Sequence, residues 1–361
     1  MTTAMENILG QFFWVGLSGP ELTPDERTFL TDARPGGIIL FRRNVVSPIQ
    51  LQALLDTIYR LYEAIDAPPP WVAVDEEGGR VQRLQTILAR LPSARWLGEH
   101  PDFPHLEFHR AVAGCLHALG IRVNLAPVLD LAYPHGWMHR MDRCFSPRPR
   151  LVARMGRIMH TAYRHVGVAL CMKHFPGLGR AHADTHVDRA RITVDRRTLW
   201  RTDLWPFRSM RRRIPMTMVA HAEYAPLDPG TPASLSPNAY GWLRDKMRYT
   251  GLILTDDLHM EAVARRWSTV EAARRAIQIG ADGVLICHNL LAVDLALAEL
   301  RAALAHGDLV TTLQRAYRRI LRVKRRWLRP PIRPDREAFH SWRERLYTIL
   351  ATCGPESATA Q

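Results

Sequence analysis

The stretch WVAVDEEGGRVQR (71–83) shows the pattern from which the fold of this chain can be inferred. An apolar run, WVAV, ends at the acidic residue Asp75, and two glycines then allow the chain to turn. A continuously apolar run is typical of a strand that is covered on both faces, as in a parallel sheet. A polar side chain directly after such a strand lies at the carboxyl end of the sheet, where barrel enzymes bind their ligands.

The same pattern recurs along the 361 residues of the chain. Apolar runs predict eight strands, at 12–18, 36–41, 71–75, 121–130, 168–175, 216–222, 252–256 and 283–288. Helices are predicted after Ser47-Pro48 and at 106–119, 149–165, 199–212, 237–246, 269–279, 291–305 and 308–327. Alternation of this kind indicates an α/β fold with a parallel sheet, and eight strands favour a (β/α)8 barrel of the TIM type.

The first βα unit and the point where the alternation of strands and helices stops indicate the domain organisation. No GxGxxG motif opens the first βα unit, which argues against a dinucleotide-binding sheet. We expect one catalytic domain over residues 1–328 and a C-terminal extension over residues 329–361. The extension is broken by prolines and then polar, so a helical or irregular appendage or a mobile tail is expected there.

Composition restricts the class of protein. A hydrophobic content of 47% and a charged content of 23% are typical of a globular protein. No stretch approaches the roughly 20 apolar residues that cross a bilayer. The first residues lack a basic segment, so we expect a cytoplasmic protein without membrane insertion. The five cysteines are scattered and form no CxxC pair, which predicts buried reduced thiols.

The formal net charge of +14 raises the question of a nucleic-acid partner. The arginines are spread along the chain, however, and dense runs occur only at 211–213 and 322–329. Neither run alternates with aromatic residues, so we expect no nucleic-acid partner and interpret the charge as a basic surface that attracts anionic ligands.

Polar groups follow five of the predicted strands. They are Asp75, Asp130, Lys173 with His174, His221 and Asp256. A single acidic residue at a strand end is more simply explained as a turn former or a helix cap. Five strand ends that meet at one mouth of a barrel favour an active site with several polar groups.

Two of these positions suggest specific roles. Asp75 beside the forked donor Arg83 can clamp the hydroxyl groups of a sugar, although an ion pair that braces the loop is equally compatible with the residues. Asp256 and Asp257 are adjacent, and side chains alternate along an extended chain. We therefore expect only one of them to face the ligand, and Asp256, which is nearer the strand, is the candidate.

The stretch KHFPGLGRAHADTH (173–186) combines a strand end with a glycine-containing loop. The ammonium group of Lys173 can reach into a cleft. Asp184 lies two residues before His186 and can orient its imidazole, which would then deliver and take back a proton. A metal bound by His182 and His186 is the alternative, but no third ligand stands out, so we expect no metal.

Together these stretches resemble glycoside hydrolase family 3, and in particular its single-domain bacterial β-N-acetylhexosaminidases. The resemblance extends from about residue 8 to residue 305 and includes GIILFRRNVVSPIQL (37–51), APVLDL (126–131), AHAEYAPLDPGTPASLS (220–236) and LILTDDLHM (252–260). Several motifs in the family's order are more specific than any single one.

The resemblance implies a (β/α)8 barrel that removes terminal β-linked N-acetylglucosamine with retention of configuration. The usual substrate would be N-acetylglucosamine joined to 1,6-anhydro-N-acetylmuramic acid, with or without peptide, in cell-wall recycling. By position, Asp256 matches the nucleophile, His186 the acid/base and Asp184 its partner. The matches to sugar-contacting positions are Asp75, Arg83, Arg143, Lys173 and His174. No cofactor is implied, and we expect a monomer.

Two departures from the family pattern bear on function. The common KHFPGHG reads KHFPGLG here, so Leu178 cannot make the hydrogen bond of that histidine. The RSFG neighbourhood reads RCFSP, with Cys144 and Ser146. Two alternative functions stay open on the sequence: transfer of the sugar to phosphate, which a histidine acid/base would not repel, and a catalytically silent muropeptide-binding protein.

Overall fold

The computed structural model describes residues 8–182, 190–307 and 309–355. Its centre is a closed barrel of eight parallel strands in chain order. The strands are β1 (Phe13–Gly16), β2 (Gly37–Leu40), β3 (Trp71–Val74), β4 (Val123–Asn124), β5 (Ala169–Phe175), β6 (Met216–Val219), β7 (Leu252–Asp257) and β8 (Gly283–Ile286). β8 pairs with β1 and closes the barrel. The predicted fold class and all eight predicted strands are confirmed.

Helices surround the barrel. The longer ones are α1 (Pro24–Ala33), α2 (Pro48–Ala64), α4 (His105–Leu119), α6 (Pro149–Val166), α11 (Thr269–Gln278), α12 (Leu290–Ala305), α13 (Val310–Trp327) and α14 (Arg336–Cys353). The shorter ones are α3 (Ala94–Glu99), α5 (Trp137–Arg140), α7 (Arg196–Arg201), α8 (Trp205–Met210), α9 (Pro237–Gly241) and α10 (Glu261–Ala264). Two small two-stranded sheets add Glu76–Gly78 with Val81–Gln82, and Arg191–Ile192 with Glu223–Tyr224.

Local sequence explains where the first helices begin. Ser47 accepts a hydrogen bond from the backbone N–H of Gln50, with Pro48 in the first turn, as expected for the start of α2. Helix α1 was not predicted, yet it has a complete capping box between Thr23 and Glu26. Its apolar residues are few and only weakly segregated to one face, so the apolar periodicity on which the other predictions relied is faint here.

Two predicted elements are shorter than expected because of proline. The apolar run 121–130 forms a strand only at Val123–Asn124, since Pro127 has no N–H to donate and the chain leaves the regular ladder. The helix expected over 199–212 is divided into α7 and α8, with Pro206 in the first turn of the second helix.

The carboxyl ends of β5 and β7 depart from regular pairing. The register of β5 against β6 shifts between Met172 and Phe175, and that of β7 against β8 shifts between Leu254 and Asp257. Such bulges insert an extra residue and redirect side chains at the rim of a barrel. Both fall where the sequence places charged groups.

Of the alternatives expected for the C-terminal extension, a helical or irregular appendage or a mobile tail, the residues described as far as Pro355 form a helical appendage. Helix α14 buries Phe339, Leu346 and Leu350. It lies against α4 so closely that a Cβ added at Gly114 would come within 2.1 Å of the Trp342 ring. As far as Pro355 the extension therefore packs on the barrel's outer helices.

The cysteines and the hydrophobicity of the helices can now be compared with the predictions from composition. Four cysteines are buried free thiols as predicted, whereas Cys353 is exposed. In the ranges that the structure describes, no helix combines the length and apolar character needed to cross a membrane.

Candidate active site

A cleft of about 320 Å³ lies at the carboxyl ends of the barrel strands. Six of the predicted site residues line it: Asp75, Arg83, Arg143, Lys173, His174 and Asp256. They come from loops that are up to about half the chain apart in sequence, so the barrel alone brings them together. Asp130, also a predicted strand-end residue, is fully buried directly behind this group.

A network of four charged groups forms one side of the cleft. The Lys173 Nζ lies 2.6 Å from Asp75 Oδ1 and 2.6 Å from Glu77 Oε1. Arg143 donates from Nε to Glu77 Oε2 at 2.9 Å and from Nη2 to Glu77 Oε1 at 2.8 Å. Arg83 is more distant, with its Nη2 3.9 Å from Asp75 Oδ2. Lys173, rather than Arg83, is therefore the main partner of Asp75.

Burial and charge oppose each other in this network. Burial, the largest influence, would raise the pKa of the Glu77 carboxyl, but the charges of Arg143 and Lys173 together hold it below its usual range. Burial likewise would lower the pKa of Lys173, and Asp75 and Glu77 together raise it above its ordinary value. The partners of Glu77 and Lys173 therefore favour the charged form of each, in spite of burial.

His174 is held by Asp130. The imidazole Nδ1 lies 2.7 Å from Asp130 Oδ2, and the backbone N–H of His174 donates to Asp130 Oδ1 at 3.2 Å. The backbone N–H of Leu178 donates to the same oxygen at 2.7 Å. With Nδ1–H directed to the carboxylate, Nε2 is the nitrogen nearer Arg143, whose Nη2 lies at 3.5 Å.

Both carboxylates at the end of β7 border the cleft, whereas we expected only one to do so. The register shift between Leu254 and Asp257 interrupts the alternation of side chains and explains the difference. Asp256 Oδ1 accepts the backbone N–H of Asp257 at 2.9 Å. Asp257 Oδ1 accepts the backbone N–H of His259 at 3.1 Å, and its Oδ2 lies 3.7 Å from His288 Nε2.

Glu76 stabilises the hairpin that carries Arg83. Its Oε2 accepts the backbone N–H groups of Arg83 at 2.9 Å and of Leu84 at 3.1 Å. Its Oε1 is buried without a hydrogen-bond partner, and burial raises the pKa of Glu76 to about 7. Since neighbouring residues of a strand face opposite sides, Glu76 points inward, while Glu77 points to Arg143 and Lys173 behind the cleft surface.

Several residues in or directly behind the cleft received no role from the sequence. Phe41, His259 and His288 line the rim, and the rings of Phe41 and His288 lie 5.1 Å apart. Glu77 was quoted within DEEGGR but received no role, although its place one residue beyond a strand-end acid was a usable signal. His221 is buried behind the cleft, where its Nε2 lies 2.9 Å from the backbone oxygen of Asp257.

The predicted proton-transfer pair, Asp184 and His186, lies outside the described residues. His182, just before this gap, is exposed, with Nδ1 3.2 Å from the backbone oxygen of His135. Across residues 8–182, 190–307 and 309–355, no three His, Cys, Asp or Glu side chains are grouped as metal ligands.

The fold and the cleft together define a barrel enzyme, with paired acidic and basic groups at the carboxyl ends of the strands. Residues 5–323 match the family model described as the glycosyl hydrolase family 3 N-terminal domain. The chain therefore belongs to glycosyl hydrolase family 3, a family of glycoside hydrolases.

Individual relatives agree with this membership. The chain is 37% identical over 297 residues to a protein named Beta-hexosaminidase from Nitrosomonas eutropha, covering 79% of this chain and 83% of that one. A family 3 β-N-acetylglucosaminidase from Paenibacillus sp. FPU-7 superposes with a TM-score of 0.84 at 30% identity, covering 96% of this chain and 68% of that one. A fungal multi-domain β-N-acetylglucosaminidase gives a TM-score of 0.88 at 29% identity over 96% of this chain, which spans only 42% of the fungal chain.

Proposed function

We propose that this glycoside hydrolase is an exo-acting β-N-acetylglucosaminidase that retains the configuration of the anomeric carbon. The observation that carries the proposal is the position of Asp256, at the end of β7 in the same cleft as the Asp75–Lys173–Glu77–Arg143 network. The volume of about 320 Å³ is near the lower end for ligand sites and suits one terminal sugar better than a long chain.

The charged network would bind the hydroxyl groups of that sugar. Asp75 is an acceptor whose charge is balanced by Lys173, so it can accept hydroxyl protons without leaving an unpaired ion in the cleft. Arg143, held by Glu77, presents N–H donors in a fixed plane. His174, oriented by Asp130, adds one imidazole nitrogen on the same side.

Asp256 would act as the nucleophile. One carboxylate oxygen forms a bond to the anomeric carbon while the bond from that carbon to the leaving oxygen breaks, and His186 supplies the proton that the leaving group needs. Water then attacks the glycosyl-enzyme, its proton passes to His186, and the carboxylate of Asp256 is released. Asp184 would hold the imidazole for both transfers.

Asp257 is a weaker candidate for the nucleophile. Hydrogen bonding by His259 lowers the pKa of Asp257, although burial, the largest influence, acts in the opposite direction. Its oxygens are directed to His259 and His288, which suits a residue that braces the rim. These contacts favour a bracing role for Asp257, and the role of Asp256 rests on its match to the family's nucleophile position.

The natural substrate in this proposal is N-acetylglucosamine linked to 1,6-anhydro-N-acetylmuramic acid, as in peptidoglycan recycling. A monomeric enzyme in the cytoplasm, where such fragments would be degraded, completes the proposal. Its support is the set of ordered family motifs and the names of the relatives, Beta-hexosaminidase and β-N-acetylglucosaminidase.

The first test uses p-nitrophenyl N-acetyl-β-glucosaminide. The wild type should release p-nitrophenol, and Asp256→Ala should lower kcat by on the order of 10⁴-fold, as loss of a nucleophile does elsewhere. Asp257→Asn is the matched control and should retain far more activity. Undiminished turnover by Asp256→Ala would disprove the assignment of the nucleophile.

The covalent step needs a separate test. A 5-fluoro N-acetylglucosaminyl fluoride slows formation and hydrolysis of the intermediate, because fluorine destabilises the positively charged transition state. Mass spectrometry should find one added glycosyl unit on the peptide that contains Asp256. A label on another residue would contradict the mechanism.

A panel of substrates then tests specificity. Cleavage of the anhydro-muropeptide and of N-acetylglucosaminides, with little cleavage of plain β-glucosides, would support the proposed substrate. N-acetylglucosamine 1-phosphate formed in phosphate buffer would instead indicate transfer to phosphate. Saturable binding measured by calorimetry without any product would indicate a silent binding protein.

A further inference from the structure

The amino-terminal end of the barrel, opposite the cleft, carries two adjoining hollows of about 560 Å³ and 190 Å³. Their walls come from the segments that precede β4 to β7, from α13 and from the segment that follows α13. Arg164, Arg326 and Trp327 line both hollows, so the two are continuous. We refer to the combined feature as the basal groove.

The basal groove is lined by arginine without any acidic residue. Its nine arginines are Arg122, Arg164, Arg211, Arg212, Arg213, Arg322, Arg326, Arg329 and Arg333. Neither hollow has an aspartate or glutamate among its lining residues. Nine positively charged side chains therefore meet on a face that the proposed reaction does not use.

Most of these cations lack a compensating charge. Arg333 is paired with Glu63, at 2.7 Å, and Arg122 donates to the backbone oxygen of His117. In the part of the chain that the structure describes, no carboxylate lies within 4.0 Å of five others. These are Arg164, Arg212, Arg213, Arg326 and Arg329, and all five are exposed. Several like charges around one concave surface repel one another, and a bound anion would relieve that repulsion.

A buried histidine lines the same hollow as several of these arginines. His160 is 8% exposed and lies in the wall of the smaller hollow. Burial lowers its pKa to about 4, and Arg164, Arg213 and Arg326 contribute to the same shift. These three arginines come from α6, from the segment before β6 and from α13, so three separate elements bring positive charge to the smaller hollow.

We propose that the basal groove binds a short chain of phosphate groups. The planar guanidinium group forms two parallel hydrogen bonds to phosphate oxygens, and a row of them suits a linear polyanion. A bilayer surface fits less well, because the groove is concave and the exposed large apolar side chains, such as Val46 and Leu291, lie on other elements. Trp327 provides one aromatic face, which is too few to stack successive bases of a nucleic acid.

The test measures binding of tripolyphosphate and of longer linear polyphosphate by calorimetry at low ionic strength. The wild type should bind both, and affinity should fall steeply as salt is added. The double variant Arg164→Gln/Arg326→Gln removes the two arginines shared by both hollows and should weaken binding by roughly tenfold or more. Both side chains are exposed, so the variant should fold and should keep the wild-type rate on p-nitrophenyl N-acetyl-β-glucosaminide.

The matched control is Arg27→Gln/Arg301→Gln, which removes the same charge from exposed positions on α1 and α12. It should bind polyphosphate like the wild type. Equal weakening in both double variants would show attraction by net charge alone and would overturn the proposal, as would no binding at low salt. Phosphatidylglycerol vesicles and single-stranded oligothymidylate serve as further probes. Tighter binding of either than of polyphosphate, lost in Arg164→Gln/Arg326→Gln, would also overturn it.

Discussion

Glu77 and Arg143 form a two-pronged ion pair in the wall of the cleft, with N–O distances of 2.9 Å and 2.8 Å. The side chain of Glu77 is only 4% exposed and that of Arg143 13% exposed. The same Glu77 oxygen that accepts from Arg143 Nη2 lies 2.6 Å from Lys173 Nζ. One buried carboxylate therefore sets the position of two cations that border the proposed sugar site.

Replacement of this carboxylate should disturb both cations. In Glu77→Gln we expect kcat/KM to fall by roughly tenfold to a hundredfold, mainly through a higher KM, because Arg143 and Lys173 lose the carboxylate that holds both of them. The free energy of unfolding should fall by about 3 kcal/mol, since buried charges lose their partner. Steady-state kinetics and denaturant melts measure the two effects. Glu299→Gln, an exposed pair with Arg274, should change neither.

Asp130 should act on the reaction only through His174 and the loop at Leu178. Asp130→Asn keeps one acceptor oxygen but places an amide beside groups that donate, so we expect both kcat/KM and stability to fall. Asp282→Asn is a matched control, because Asp282 is also fully buried and paired, with Arg244 and Arg319, but lies before β8. It should lose stability while keeping kcat/KM. Equal kinetic losses in the two variants would indicate a structural role for Asp130 only.

The buried carboxyl of Glu76 should make stability depend on pH. Its ordinary pKa of 4.5 is raised by burial to about 7 in the folded protein. Between these values the unfolded chain releases the proton and the folded protein keeps it, so the free energy of unfolding should fall as pH rises. Below pH 4.5 both states are protonated, and above about 7 both are ionised, so the contribution is constant outside this window.

Glu76→Gln tests this dependence. The amide oxygen of the variant can still accept from the backbone N–H groups of Arg83 and Leu84, but the side chain no longer ionises. The fall in the free energy of unfolding with rising pH should therefore become smaller by an amount of the order of 2–3 kcal/mol. Denaturant melts at a series of pH values measure the change. Glu99→Gln on the surface should keep the wild-type profile. If the free energy of unfolding of Glu76→Gln falls with pH as in the wild type, the pH dependence comes from another group.

The proposed proton donor predicts a dependence on the leaving group. His186→Ala should slow hydrolysis of a disaccharide by about 10² to 10⁴-fold, but a dinitrophenyl glycoside, which leaves without protonation, should lose much less in its first step. His182→Ala, at an exposed histidine four residues earlier in the chain, is the control and should behave like the wild type. Equal losses on good and poor leaving groups would contradict the role of His186 as the acid.

Much of the fold could be predicted from the apolar runs and from the turn and helix-cap residues between them. Each strand is covered on both faces, so its residues are apolar at nearly every position, and the runs at β1, β2 and β8 were located to within two residues at each end. The rule that barrel strands present their carboxyl ends to one mouth then groups Asp75, Lys173 and Asp256 from the sequence alone. The packing of α14 could not be predicted from the sequence, because Trp342 and Gly114, which lie against each other, are far apart in the chain.

The sequence by itself determined the order of strands and helices, the end of the barrel that carries the cleft and the acidic residues that reach it, because these depend on local hydrophobicity and on a general rule of barrels. Only the tertiary structure decided that Glu77 joins Arg143 to Lys173 and that Asp130 orients His174. It also decided that Asp256 and Asp257 both border the cleft. These three outcomes depend on register shifts and on partner side chains from distant strands. The partner of each side chain lies far away in the sequence, so a local stretch cannot reveal which contact forms.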